Sequence, residues 1–542
     1  MNMLERVTGL TTFQKDDSSS ERKRSALVFP IVRRINFRHG RSEMRLASLA
    51  ALVLGFSILN PAQAAKLSPD LSDLGTLPSH SLSVPVVDKA ITAVESKTSP
   101  YQFAVPMDLP LTLEDGQWQQ LGNISRWRTR IQSAGAQTLN FAFSKFRLPP
   151  DASLWIYDSA GELVQGPYTH ADENSEGTLW TPVIAGGDAV IELQVPTAER
   201  DAVQLQLGKV NHGFRGFAKA SSVPSKAGSC EVDAVCPAGN SWRNEIRSVA
   251  RISINGTTLC SGQLLNNVKQ DDTPYFLTAN HCGISNGLIA GTVVFYWNYQ
   301  TSTCGGNRDG SLSQTSSGSS FVSSNSSSDY TLLRLNTAPN SAYNVYLSGW
   351  NANGAAAAPG AVIHHPNGDQ KSISLFNTSG TQATISLCTG VIDLNGLCVL
   401  TIGGPLLSTT NVNAWQIHYS QGVTEPGSSG AGLWDANHRI VGQLSGGDSS
   451  CSAPNSPDYY GRFDLSFTAN GNSLKSTLDP NGTGTISLCG KDPGAGACQT
   501  KSGSSTNVSG GGGDSGGGGG ALDLTLLLGL LGLHRLKRRR LY

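Results

Sequence analysis

The chain contains many short runs in which apolar and polar residues alternate, separated by turns rich in Gly, Asn and Ser. A period of two residues is typical of β-strands that bury one face. Runs at 152–157 and 189–195 predict a small antiparallel β domain within residues 65–226, which contain no Cys. Further apolar runs predict a larger β region after residue 227; they occupy residues 249–254, 275–279, 292–299, 330–335, 414–419 and 440–444. The sequence therefore predicts an all-β protein, with a barrel or sandwich in the larger region.

Length and composition indicate how many structural units the chain contains and which kind of secondary structure it favours. The chain has 542 residues, of which 15% are charged and 61 are Gly, and its formal net charge is zero. Such a length predicts three or four units, and the Gly content favours strands and turns. Because the charges balance, no global feature points to nucleic acid.

The N-terminal region has the order of an export signal. Met44 and Arg45 precede an apolar run at 46–59, which is followed by the small-residue motif at 62–64. This order predicts a signal peptide that signal peptidase cleaves after Ala64, so that residues 1–64 form a leader. The 43 residues before Met44 are interpreted as an over-called start or an extended leader, with a disordered tail as the alternative.

The cysteines then indicate disulfides. None of the ten lies before Cys230, their number is even, and no CxxC occurs. Exported domains oxidise such cysteines, whereas zinc sites need closely paired thiolates. We expect disulfides, no metal and no cofactor.

The C-terminal region has three parts in order. Residues 491–520 are rich in Gly and Ser and predict a linker; residues 521–533 are mostly apolar, and residues 534–540 are mostly basic. The simplest interpretation of the last two parts is a short amphipathic tail. The order nevertheless resembles the GlyGly-type C-terminal sorting signals of Gram-negative bacteria. That resemblance implies transient membrane anchoring, cleavage by a rhomboid-like protease, and a protein that crosses the periplasm to be secreted or kept at the cell surface.

Three residues provide candidate chemistry. His281 follows a predicted strand and precedes Cys282, Asp329 begins an apolar run, and Ser429 lies in a Gly-rich turn. A Ser nucleophile needs a base, a residue that orients the base, and oxyanion donors. Each fragment is weak by itself, but together in the order His–Asp–Ser they predict a catalytic triad. Ser429 would attack, His281 would transfer the proton, and Asp329 would orient the imidazole. The N–H groups of Gly427 and Ser429 would bind the oxyanion.

The motifs around these residues resemble the bacterial lysyl endopeptidases. They are TANHC (278–282), YWNYQTSTC (296–304), SSSDYTLLRL (326–335), IHHPNGDQKSIS (363–374), GVTEPGSSGAG (422–432) and DYYGR (458–462). Residues 127–195 resemble the propeptide of that family. The resemblance implies a propeptide at 65–226 and a chymotrypsin-like protease domain at 227–490, built from two antiparallel six-stranded β-barrels. It further implies a serine endopeptidase that cleaves protein and peptide substrates after Lys through an acyl-enzyme.

The resemblance also implies disulfide pairings. These are Cys230–Cys451, Cys236–Cys304 and Cys260–Cys282. Two more pairs, Cys388–Cys398 and Cys489–Cys498, are suggested only by their proximity in the sequence and lie outside the family pattern.

Substrate preference is expected to depend on Asp458. The position that is acidic in trypsin, six residues before the nucleophile, is Val423 here. By resemblance, Asp458 is the acid that binds the Lys side chain; the alternative is that it is a surface carboxylate, and Glu425 ranks below it as a pocket acid. The segment Ser445-Gly446-Gly447 would line the substrate channel. The family has His where this chain has Ser445, which leaves broader Lys and Arg specificity open.

Activation is expected to differ from that of trypsin. Trypsin pairs its new N-terminus with an Asp just before the nucleophile, and here that residue is Ser428. The propeptide would instead assist folding and block the cleft, with self-cleavage after Lys226 or, alternatively, Lys219. The remaining alternative is a catalytically inactive surface-binding protein on the same scaffold.

Overall fold

The computed structural model describes residues 69–85, 97–215, 217, 227–388, 391–392, 398–399, 409–469 and 473–498. The predicted leader, both predicted cut sites (Lys219 and Lys226), most of the linker, and the apolar and basic C-terminal segments lie outside this range. No helix within the described ranges is long and apolar enough to cross a membrane.

The chain before Cys230 forms the N-terminal domain, which consists of two sheets. One has the order β1-β5-β11-β7-β8 with β4 against β5, and the other has the order β10-β6-β12-β3 with β9 against β6. The strands are β1 (Ser79–Leu82), β3 (Ala104–Leu111), β4 (Gln117–Leu121), β5 (Ile124–Ser133), β6 (Thr138–Arg147), β7 (Ser153–Asp158), β8 (Val164–Tyr168), β9 (Leu179–Trp180), β10 (Ile184–Ala185), β11 (Asp188–Pro196) and β12 (Gln204–Gly213). Strand β2 (Tyr101–Gln102) pairs outside this domain.

Alternating side chains from the two sheets make one apolar core. Phe141, Ile156 and Ile191 each expose 1% of their surface or less, and they come from β6, β7 and β11. Burying an apolar side chain of this size contributes about 1.5–3 kcal/mol. The predicted β domain in this region is therefore stabilised by an apolar core, which extends to Tyr296 of the following region.

The chain after Cys230 forms the C-terminal domain, which also has two main sheets. The first has the order β17-β16-β13-β14-β15-β19-β18 and the second β22-β21-β27-β28-β29-β26-β23. The strands of the first are β13 (Val249–Ile254), β14 (Thr258–Leu265), β15 (Tyr275–Ala279), β16 (Val294–Trp297), β17 (Thr315–Ser317), β18 (Ser319–Asn325) and β19 (Tyr330–Leu335). Those that follow are β20 (Gly349–Asn351), β21 (Gly360–His364), β22 (Ser372–Phe376), β23 (Thr381–Cys388), β24 (Val391–Ile392), β25 (Cys398–Val399), β26 (Thr409–Ile417), β27 (Gly432–Trp434), β28 (Arg439–Gly447), β29 (Asp458–Arg462) and β30 (Ser487–Leu488).

Helices are few and short in the described part of the chain. The α-helices are α1 (Arg243–Ser248), α2 (Gly287–Ala290), α3 (Phe463–Thr468) and α4 (Leu474–Leu478). Short 3₁₀ segments occur at Leu74–Thr76, Leu113–Asp115, His170–Asp172, Thr197–Ala202, Pro237–Trp242, Asn280–Cys282, Ser341–Tyr343 and Pro366–Gly368.

A bend at Gly318 joins the two edges of the first sheet. Strands β17 and β18 are separated only by Gly318, whose φ of 80° suits a residue without Cβ. Because β17 pairs with β16 while β18 pairs with β19, the bent strand connects both edges. Strand β2 adds a further member by pairing with β14. In the described residues the first sheet thus has eight strands and the second nine, whereas the resemblance implied two six-stranded barrels.

Disulfides fasten the C-terminal domain. The described bonds are Cys230–Cys451, Cys236–Cys304, Cys260–Cys282 and Cys489–Cys498. These include the three pairings implied by the family resemblance and one of the two suggested by proximity. Cys388 is also disulfide-bonded, whereas the side chain of Cys398 lies outside the described residues.

Replacing both Cys260 and Cys282 by Ser is expected to lower the free energy of unfolding by about 3 kcal/mol, because their bond closes a loop of 22 residues. Urea unfolding followed by Trp fluorescence in a Ser429→Ala background, which prevents self-digestion, measures this change. The matched control removes Cys489 and Cys498, whose separation of 9 residues predicts a smaller loss of about 2.5 kcal/mol. An unchanged midpoint in the Cys260/Cys282 variant would contradict the expectation.

Candidate active site

The pairing of β15 with β19 brings His281 and Asp329 together. Ala279 at the end of β15 lies opposite Tyr330 at the start of β19. The residues just beyond these two positions therefore meet at one edge of the sheet. Nδ1 of His281 lies 2.8 Å from Oδ2 of Asp329, and the backbone N–H of His281 donates to Oδ1 at 2.9 Å. This geometry holds the imidazole with Nε2 turned away from the carboxylate.

The backbone of Asp329 is held in an unusual conformation. Its φ is 51°, in the left-handed region that Asp tolerates better than most residues. Its carbonyl oxygen accepts hydrogen bonds from the N–H of Asn280 at 3.0 Å and from Nε2 of Gln443 at 3.1 Å. These bonds compensate for a conformation that costs about 1–3 kcal/mol, so the surroundings fix the carboxylate in place.

Ser429 lies in a turn that needs glycine on both sides of Ser428-Ser429. Gly427 and Gly430 have φ values of 91° and 84°. A Cβ on Gly427 would lie 2.9 Å from the backbone nitrogen of Gly368, and one on Gly430 would lie 2.3 Å from Oγ1 of Thr278. The carbonyl of Ser429 accepts the N–H of Ser261 at 2.8 Å. The turn is therefore tied to the first sheet, and Sγ of Cys282 lies 3.9 Å from the Ser429 carbonyl oxygen.

Asp458 lies at the start of β29 and is fully buried, so it is not the surface carboxylate of the alternative interpretation. It pairs across the sheet with Ile417 and Gly447. Its carboxylate accepts hydrogen bonds from the hydroxyl of Tyr419 at 3.0 Å, from Ser449 through its N–H at 3.2 Å and its Oγ at 2.7 Å, and from Oγ1 of Thr424. A buried charge requires such partners.

The sequence analysis missed these three partners of Asp458. Tyr419 ends a predicted strand and Ser449 lies in a Ser-rich turn, which are ordinary places for such residues. No motif marks them, because their hydroxyl groups, and the backbone N–H of Ser449, meet Asp458 only when the strands are assembled.

Lys97, from the segment before β2, occupies the pocket above Asp458. Its Nζ lies 2.9 and 3.2 Å from the two carboxylate oxygens of Asp458. It also donates to the carbonyl oxygen of Ser449 at 2.6 Å and to the hydroxyl of Ser449 at 2.9 Å. The side chain is buried. The ammonium thus finds acceptors for all three of its protons.

The backbone of Lys97 reaches the candidate nucleophile. The hydroxyl of Ser429 donates to the carbonyl oxygen of Lys97 at 3.0 Å. Within the described residues, Nε2 of His281 is buried and has no hydrogen-bond partner. A cavity of about 320 Å³ beside it is lined by Thr98, Pro100, His281 and Asp329, among others. The predicted triad and Asp458 therefore surround a single residue of the same chain.

The predicted channel residues differ in their surroundings. A Cβ on Gly446 would lie 2.7 Å from Cγ2 of Thr98, and one on Gly447 would lie 2.2 Å from Oδ1 of Asp458. Both glycines therefore border the site. The hydroxyl of Ser445, in contrast, accepts the N–H of Gly461 at 3.2 Å within the sheet.

Glu425 and Ser428 bind other parts of the chain. Both carboxylate oxygens of Glu425 accept the N–H of Gly228 at 3.1 Å, just after the predicted cut site. The hydroxyl of Ser428 lies 2.8 Å from Nδ1 of His364. Burial lowers the pKa of His364 to about 3, so this imidazole is neutral and serves as a hydrogen-bond partner.

Burial also raises the pKa values of two groups near the pocket, Glu231 and Tyr419. It raises the pKa of Glu231, and the neighbouring carboxylate of Glu425 raises it further. Burial, together with the charge of Asp458, raises the pKa of Tyr419. Tyr419 therefore stays a phenol at neutral pH and keeps donating its proton to Asp458.

Comparisons with known proteins match both domains of the chain. The sequence model for the lysyl endopeptidase N-terminal domain matches residues 87–214, and that for the lysyl endopeptidase C-terminal domain matches residues 225–461. A curated lysyl endopeptidase from Pseudomonas aeruginosa is 29% identical over 361 residues, which is 62% of this chain and 72% of the relative.

Solved protease structures match part of the chain. The active form of the Rv3671c protease from M. tuberculosis has 16% identity and a TM-score of 0.27, over 46% of this chain and 90% of that one. The thermostable serine protease AL20 from an extremophilic microorganism has 15% identity and a TM-score of 0.26, over 40% of this chain and 92% of that one. The matches to both lysyl endopeptidase domains support placing the chain in that family, and the protein is a serine endopeptidase.

Proposed function

We propose that the protein is a secreted endopeptidase that cleaves after Lys, using His281, Asp329 and Ser429. The observation that carries this proposal is the placement of the Lys97 ammonium against Asp458, while the carbonyl of the same residue meets the hydroxyl of Ser429. A substrate Lys bound in this way would present its own carbonyl to the nucleophile.

The pocket favours Lys over Arg because the Asp458 carboxylate closes it at the depth that the ammonium of a Lys side chain reaches. Asp458 accepts from Nζ directly and is itself closed off by the hydroxyls of Tyr419 and Thr424. A guanidinium is longer and presents its donors as a planar fork. It would have to displace the carboxylate or leave donors unpaired, and unpaired buried donors are costly.

The positions of the three residues support a reaction by acyl transfer. His281 accepts the proton of Ser429 at Nε2 as Oγ bonds to the substrate carbonyl carbon, while Asp329 receives the Nδ1–H bond and stabilises the imidazolium. The N–H groups of Gly427 and Ser429 stabilise the oxyanion. His281 then returns the proton to the leaving amine as the C–N bond breaks. In the second half, His281 takes a proton from water as the water oxygen bonds to the acyl carbon. It then returns that proton to Oγ of Ser429 as the acyl group leaves.

Export is part of the proposal. Four disulfides in the described residues support export, because such bonds persist mainly in oxidising compartments. We propose processing after Ala64 by signal peptidase, passage through the periplasm of a Gram-negative bacterium, and transient anchoring by residues 521–540 until a rhomboid-like protease removes them. Residues 65–226 act as the propeptide, and the cut after Lys226 or Lys219 releases it.

Two alternatives are separated by simple measurements. Broader specificity would give cleavage after Arg as well as Lys in one denatured protein. An inactive surface-binding protein would show no cleavage and no labelling of Ser429 by a fluorophosphonate.

Replacing Asp458 by Asn is expected to lower kcat/KM for a Lys ester at least about thirtyfold, because removing one member of a buried charge pair costs about 2–5 kcal/mol. The control is Asp448→Asn, which removes the same charge from an exposed position ten residues earlier. Steady-state kinetics of the processed enzymes measure both. Equal losses in the two variants would contradict the assignment of Asp458.

Replacing Ser429 by Ala is expected to lower kcat about a millionfold, and Asp329→Asn about ten-thousandfold, because the imidazole would then be held in the wrong tautomer. Circular dichroism checks that both variants are folded. Substantial hydrolysis by folded Ser429→Ala protein would refute the triad.

A further inference from the structure

We propose that Lys97 is a built-in pseudosubstrate: it inhibits the precursor by filling the Lys pocket while its own peptide bond stays uncut. This inference rests on the proposed function and specifies how that activity is controlled. Nothing in the sequence around residue 97 marks it, since it is a single Lys before Thr-Ser-Pro.

The first support is the completeness of its binding. Lys97 is 7% exposed, and its ammonium is held by the carboxylate of Asp458 and by two oxygens of Ser449. A substrate that enters the pocket would need the same acceptors. Occupation by Lys97 and cleavage after any other Lys are therefore mutually exclusive.

The second support is the state of the nucleophile. The hydroxyl of Ser429 donates to the carbonyl oxygen of Lys97, whereas attack requires it to donate to Nε2 of His281. Nε2 is buried and has no partner in the described part of the chain. The proton therefore points to the wrong acceptor, and Ser429 binds the carbonyl oxygen instead of attacking the carbon.

The third support is the route of the chain after Lys97. Thr98 packs on Gly446, and Pro100 lines the cavity beside His281. Strand β2 then adds to the first sheet, where Tyr101 lies opposite Leu259. The segment therefore crosses the catalytic groove and is fixed on its far side.

The fourth support is the strength of that attachment. Phe103 and Phe217 of the N-terminal domain share an apolar core with Tyr296 of the C-terminal domain. The ring centroid of Phe217 lies 4.7 Å from that of Phe103 and 5.2 Å from that of Tyr296. The guanidinium of Arg251 lies 3.7 Å from the ring centroid of Phe217. The N–H of Phe103 donates to the carbonyl of Thr257 at 2.8 Å. These contacts hold Lys97 at high local concentration over its pocket.

The test uses the full chain with Lys219 and Lys226 both replaced by Gln, so that neither of the two predicted cuts can separate the domains. The readouts are the rate at which a fluorophosphonate labels Ser429 and the hydrolysis of a small Lys ester. Lys97→Met keeps the length but removes the charge, and it is expected to raise both rates about tenfold or more. The control Lys145→Met changes an exposed Lys of the N-terminal domain and is expected to leave both rates within about twofold.

The outcomes separate this proposal from the proposed function. Equal rates for Lys97→Met and the unmodified precursor, with normal labelling of the processed enzyme, would overturn the pseudosubstrate while leaving the endopeptidase intact. Failure of the processed enzyme itself to label or to hydrolyse the ester would overturn both. If Lys97→Met does not fold, Lys97→Arg replaces it, and the longer side chain is expected to raise the rates as well.

A separate experiment tests whether the peptide bond between Lys97 and Thr98 stays uncut. N-terminal sequencing of the precursor during activation is expected to show no chain that begins at Thr98. A chain beginning at Thr98, formed as fast as activity appears, would show that Lys97 is a processing site and would overturn its role as an uncut inhibitor.

Discussion

The carboxylate of Asp458 is a charge with no access to water, and much of the C-terminal domain is arranged around that fact. It is fully buried between β26 and β28. An isolated buried carboxylate is very unfavourable, so Tyr419, Thr424 and Ser449 all donate to it. These neutral donors reduce the cost but leave the charge uncompensated. The ammonium of Lys97, which lies 2.9 Å from Oδ1 of Asp458, supplies the opposite charge.

The same chain supplies that cation. Lys97 is brought to Asp458 by an interface that lies mainly on the first sheet of the C-terminal domain, away from the pocket. Packing and recognition are thus separate: aromatic and strand contacts position the N-terminal domain, and one side chain enters the site. The turn between β13 and β14 shows how closely the two domains pack. A Cβ on Gly256 in this turn would lie 2.2 Å from Oδ1 of Asn140 in the N-terminal domain.

The sequence marks candidate residues best where the chemistry is local. His281 and Asp329 each lie next to a strand end, Ser429 lies in a Gly-rich turn, and the antiparallel pairing of β15 with β19 brings the first two together. Ser445 shows the limit, because its hydroxyl is used by the backbone of Gly461 and a sequence does not reveal which group a hydroxyl will meet. Lys97 shows the same limit more strongly. Its partner Asp458 is 361 residues away, and no periodicity or motif encodes a contact of that range.

This separation of packing from recognition bears on the order of activation. In the proposed processing, a cut after Lys226 would break the covalent link between the domains but touch none of the contacts that hold Lys97, since β2, Phe103 and Phe217 lie before the cut. The proposed inhibitor would then change from a tethered group to a bound ligand with an apolar interface. Its release depends on how fast the N-terminal domain dissociates or is itself degraded. Exposed lysines such as Lys145 and Lys209 lie on that domain, so any enzyme molecule already free can attack it there. A protease inhibited in this way activates slowly at first and faster as free enzyme accumulates.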